Sequence, residues 1–97
     1  MDRAGLYLIK RLLSDKNLTP KDAQKLEQKW RESLKTMDRQ TLEETLKESE
    51  EQLKDDKELN KRGGLTAFGQ ALIPAREEEV EVLRTELRHR FSDEDRN

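Results

Sequence analysis

The sequence predicts an all-α protein, a small bundle or hairpin of about four helices, coiled-coil-like and elongated. Fifteen of the 97 residues are Leu while Ile and Val together number four, so helix formers dominate and strand formers are scarce. Apolar residues recur at i, i+3, i+4 and i+7 in every segment, and no strand-length stretch alternates apolar with polar. With 43% of residues charged and 31% hydrophobic, the chain has material for one small core. A single domain over 1–91 is expected, followed by a disordered acidic tail over 92–97.

The first helix is expected from about Arg3 to Asp15. At roughly 100° per residue, Leu6, Ile9 and Leu13 fall together, and Leu8 and Leu12 widen the apolar arc to about 160°, more than one neighbouring helix covers. Thr19 is a good N-cap, Pro20 suits the first helical position and Asp22 complements the dipole, so a second helix begins there. It carries Ala23, Leu26, Trp30, Leu34 and Met37 at steps of three and four, a narrow seam on which the first helix can fold back. Leu42, Leu46 and Leu53 lie on a different face, which leaves either one rod of about 60 Å with two stripes or a break near Thr36 to Thr41. Asp38 as a cap, and Thr41 with Glu44 at capping-box spacing, favour the break. The third helix, about 39–61, is sparse in large apolar residues and relies on i,i+4 pairs such as Glu43 with Lys47 and Glu50 with Lys54, with Gly63 as its stop.

Gly63 to Ala75, GGLTAFGQALIPA, is thirteen residues without a charge in a chain that elsewhere carries one at nearly every second position. Thr66 can cap a short helical turn holding Phe68, Ala71 and Leu72, and Pro74 either kinks a helix or starts the last one. That last helix, about 74–91, aligns Ile73, Val80, Leu83, Leu87 and Phe91. Glu77, Glu78 and Glu79 in its first turn, and Arg88, His89 and Arg90 in its last, suit the dipole.

Several classes of function are disfavoured. The absence of Cys removes disulfide scaffolds, thiolate catalysis and sulfur-ligated metal sites, and a reducing, cytoplasmic setting is expected. No apolar run reaches 18 residues, and the start lacks the pattern of a signal peptide. The first helix, at about 13 residues with only Lys10 and Arg11 adjacent, is a poor interfacial anchor, so a membrane partner is not expected. His89, the only histidine, has near it only Ser92, Asp93 and Asp95, in the expected tail, and a nucleophile, base and orienting acid need a rigid site. The run EETLKESEEQLKDDKE has no EF-hand spacing and is interleaved with lysines, and Gly63-Gly64 is not followed by the Lys-Ser/Thr of a phosphate-binding loop. No enzymatic activity, cofactor, metal or small-molecule substrate is expected.

What remains is recognition of another macromolecule. Four helices of this make-up own more apolar surface than they can cover, so the expected function is a non-catalytic protein-interaction module: an adaptor, chaperone-like or regulatory subunit. The partner is a second protein, a second copy, or both. Leu8, Leu12 and Trp30 are the expected oligomer interface, and Leu65, Phe68, Leu72 and Ile73 the expected anchor for a partner. The competing reading is a small nucleic-acid-binding regulator using Arg84, Arg88 and Arg90. A net charge of −2 and acids on nearly every helix argue against an extended basic stripe.

Overall fold

The computed structural model describes residues 5–95 of the chain, with side chains through Phe91. It is an all-α bundle: α1 (Leu6–Ser14), α2 (Pro20–Thr36), α3 (Arg39–Lys61), the short α4 (Ala67–Ala71) and α5 (Ile73–Asp95). Its extents are 46 × 34 × 21 Å. The thinnest is about two helix diameters, as in a two-layer arrangement.

Each boundary has a local cause. Thr19 accepts the Asp22 N–H at 3.2 Å, with Pro20 as the first helical residue of α2. Met37 is extended (ψ 142°), and Asp38 Oδ1 accepts the Thr41 N–H at 2.8 Å to start α3, so the rod breaks where the apolar stripe changes face. Thr66 caps α4 through the Gly69 N–H at 3.1 Å. Pro74 is the second residue of α5, where its missing N–H costs nothing. α1 and α3 end in the same way, with paired reverse hydrogen bonds around one left-handed residue. In α3 that residue is Gly63 (φ 73°), with Gly63 N–H donating to Asn60 and Gly64 N–H to Leu59. In α1 it is Lys16 (φ 63°), with Lys16 N–H donating to Leu13 and Asn17 N–H to Leu12.

α5 organises the bundle. It lies along α3 and also touches α1, α2 and α4. Later residues of α3 pair with earlier residues of α5, the register of an antiparallel pair: Ser49 with Glu79, Asp56 with Arg76, Lys57 with Glu77. α1 bridges α2 and α5, and the core cluster is Leu6, Ile9, Ala23, Trp30, Leu34, Leu42 and Leu83, contributed by all four long helices. Each fully buried Leu or Ile there contributes about 1.5–3 kcal/mol. At the lower end of the bundle Arg90 Nη1 donates to the Leu34 carbonyl at 2.9 Å and the Met37 carbonyl at 2.7 Å, closing the end of α2. The Arg90 and Arg39 guanidinium groups lie 4.7 and 5.6 Å from the Phe91 ring centre.

Two expected boundaries move. α1 begins at Leu6, and residues 1–4 lie outside the described residues. α5 runs to Asp95, so residues 92–95, expected in a disordered tail, are helical in backbone, and residues 96 and 97 lie outside the described residues. Phe91 to Asp95 holds no Gly or Pro to end the helix. Among the described residues no helix is long and apolar enough to cross a membrane.

Candidate functional site

α2 and α3 share the short turn at Met37 and Asp38, yet they barely touch each other along their lengths. Between them opens a cleft of about 630 Å³. One wall is a single face of α2, formed by Leu26, Lys29, Trp30, Ser33 and Met37. The other is a face of α3, formed by Thr45, Glu48, Ser49 and Gln52, with Glu51 at its edge. Both follow the i, i+3, i+4, i+7 spacing of one helical stripe. Leu26 and Met37 are half-buried and Trp30 is buried, so the α2 wall is the apolar one.

The base of the cleft is polar and fully engaged. Glu79, on α5, is 7% exposed. Its Oε1 accepts the Tyr7 backbone N–H at 2.8 Å, and its Oε2 accepts the Ser49 hydroxyl at 2.8 Å. Gly5, the N-cap residue of α1, provides no side-chain acceptor, so the carboxylate of α5 stands in for the missing cap. A Cβ on Gly5 would lie 2.6 Å from Glu79 Oε1, which is why the carboxylate can approach only a glycine. Beside it the Arg76 guanidinium stacks on the Tyr7 ring, 3.6 Å from its centre, and pairs with Asp56 at 3.4 Å. Among the described residues, no buried side-chain nitrogen or oxygen lacks a partner.

The residues expected from sequence scatter. Of the anchor set, only Phe68 is exposed, at 38%; Leu65 and Ile73 are half-buried and Leu72 is buried at 4%. Leu72, the C-cap residue of α4, is thus covered by the chain's own packing. Leu65 packs over Gly69, 3.2 Å from where a Cβ would stand. Among the described residues Leu59, near the end of α3, joins Phe68 as an exposed large hydrophobic. Of the expected oligomer interface, Trp30 belongs to the core cluster of the chain itself, while Leu8 and Leu12 are half-buried and outside it.

The three arginines do not form one patch. Arg84 hydrogen-bonds Glu50 at 2.7 Å and lies 3.6 Å from Glu81; the Glu50 bond raises its pKa. Arg90 turns inward onto α2, and Arg88 is exposed. His89 is exposed on α5. Among the described residues no group of three or more His, Cys, Asp or Glu side chains converges in a way that could hold a metal ion.

Sequence reasoning treated Glu79 as one of three dipole-complementing acids and missed its burial. The signal was present: Leu72, Arg76, Glu79 and Leu83 follow steps of four, three and four, so Arg76 and Glu79 interrupt an apolar seam. Ser49 and Asp56 interrupt the matching seam of Leu42, Leu46 and Leu53 on α3. No protein-family model, curated protein or solved structure matches the chain.

Proposed function

We propose that this chain is a cytoplasmic, non-catalytic protein-interaction module that receives a helix of a partner polypeptide between α2 and α3. The observation that supports the reading is the cleft itself, whose two walls are single helical faces facing one another across about 630 Å³. An amphipathic helix seats its apolar stripe in a groove of this kind, reading it through side chains at i, i+3, i+4 and i+7. A turn of helix about 10 Å across and 5.4 Å long occupies roughly 420 Å³, so the cleft matches a turn or two of a docked helix. Leu8 and Leu12, half-buried on α1, keep a second copy among the partners, and the exposed Phe68 offers a second contact.

Affinity recovery from native lysate tests the reading through variants. Ser33→Trp and Gln52→Trp place bulk in the cleft, whereas Phe68→Asp alters only α4. A protein retained by the parent chain and by Phe68→Asp, and lost from both cleft variants, supports a cleft-bound partner. Recovery unchanged by filling the cleft contradicts it.

A further inference from the structure

We infer that the outer face of α2 binds the phosphate backbone of a double-stranded nucleic acid. The net charge of −2 conceals two unequal halves: residues 1–37 hold nine Lys and Arg against five Asp and Glu, net +4, and residues 38–97 hold eleven against seventeen, net −6. Four lysines of the first half stand on one side of α2. At roughly 100° per residue, Lys21, Lys25 and Lys35 fall within about 80°, with Gln28 and Glu32 between them and Lys29 at their flank. All six are exposed, whereas Trp30, about 180° round the helix from Lys21, is buried. The stripe is therefore centred on the side of α2 turned away from the core.

The charges around the stripe leave it cationic. Lys10 of α1 shares with Lys21 the rim of one surface hollow, which extends the stripe beyond α2. The acids on this side are Asp22 and Glu32, so five lysines share it with two carboxylates, and among the described residues none of the five is held in an ion pair. Arg31 adds nothing to the excess, because Glu27 holds it at 3.0 Å and Glu78 lies 3.8 Å away. The acidic helix α3 stands across the cleft, behind the stripe.

Composition decides the kind of partner. Lysine is depleted at the core of protein–protein interfaces, and this side of α2 has no large apolar side chain to seat there. A lipid-binding helix needs an apolar face open to the membrane beside its cations, and the apolar side of α2 is turned into the bundle. Phosphates ask for cations and hydrogen-bond donors, which the lysines and the exposed Gln24 supply. From Lys21 to Lys35 α2 runs about 21 Å, the length of about six base pairs at roughly 3.4 Å each.

Fluorescence anisotropy tests the inference with labelled DNA and RNA duplexes of about 20 base pairs and with a polyglutamate of similar charge. In about 50 mM salt the chain should bind a duplex, the tighter of the two naming the polymer, and log K should fall with log salt at a slope of about −4. Lys21→Gln with Lys25→Gln and Lys35→Gln should weaken binding at least about tenfold and reduce the slope by about 3. Lys47→Gln with Lys54→Gln and Lys61→Gln, the same charge change on α3, should leave the slope unchanged, and circular dichroism checks that both variants fold. Binding to neither duplex overturns the inference. Equal losses in the two variants overturn the placement on α2. Polyglutamate bound more tightly than either duplex overturns the nucleic acid in favour of an acidic polypeptide.

Discussion

Glu79 accepts the backbone N–H of Tyr7 at 2.8 Å across 72 positions of sequence, so one carboxylate on α5 caps the helix that opens the described chain. The same side chain takes the Ser49 hydroxyl, which ties α1, α3 and α5 together at a single buried point. Glu79→Ala should lower unfolding stability by about 2–4 kcal/mol, because it leaves the Tyr7 N–H and the Ser49 hydroxyl without their acceptor. Gly5→Ala should cost less, about 1 kcal/mol, by pushing the carboxylate off Tyr7. Urea unfolding followed by circular dichroism measures both, and a Glu79→Ala chain of parental stability would remove this cap from the account.

Arg90 plays the corresponding part at the other end of the bundle, where two carbonyls at the end of α2 accept from one guanidinium nitrogen. Arg90→Ala should destabilise by about 1–3 kcal/mol, through the lost charged hydrogen bonds and the lost contact with Phe91. Arg88→Ala, at an exposed neighbouring position, should change stability by less than about 0.5 kcal/mol. Similar effects of the two substitutions in thermal unfolding would contradict the inward role of Arg90.

Lys16 and Gly63 hold the same left-handed place at the ends of α1 and α3. A lysine pays a steric cost there that glycine avoids, so Lys16→Gly should stabilise the chain by about 0.5–1 kcal/mol. Gly63→Ala should destabilise it by about 1 kcal/mol. A Cβ at Gly63 has no atom within 4 Å, which isolates the backbone term from any clash. The opposite signs in paired denaturation curves are the check.

The pH dependence has a defined sign at Asp38. Its hydrogen bonds from Thr41 hold the carboxyl below its ordinary value of 3.8, with a smaller contribution from Arg90. The lowered group binds its proton more readily in the unfolded chain, so its contribution is present above pH 3.8 and is lost as pH falls through the lower folded value. Asp38→Asn keeps the cap but removes the titration, and should flatten that part of the acid-unfolding curve. A parental curve in Asp38→Asn would show that the Asp38 charge does not contribute.

Much of the fold was legible because its signals are local. Thr19-Pro20, Asp38 and Thr66 mark helix starts by hydrogen-bonding chemistry that operates within one turn, and Gly63 marks a stop in the same way. The burial of Leu34, Leu42 and Leu83 follows from stripes of period 3.6. The site was harder to read. Periodicity says that Trp30 faces inward, but the gap beside it depends on the angle at which α2 leaves α3, set by Met37 and by contacts with α1 and α5. Composition marks the uncharged segment, but not that Phe68 stays exposed while Leu72 is buried. Glu79 was hidden because a first-turn acid has an ordinary explanation in the helix dipole, and only the α3 partner reveals its other use.

The central claim is that the α2–α3 cleft is where this chain meets another helix. Amide chemical-shift mapping of the ¹⁵N-labelled chain, titrated with a designed 14-residue amphipathic peptide that carries a leucine stripe, addresses it most directly. The account predicts perturbations concentrated at residues 26–37 and 44–55, with the Trp30 indole N–H among the largest. Perturbations centred on Leu59 and Phe68, or spread evenly over the surface, would contradict it.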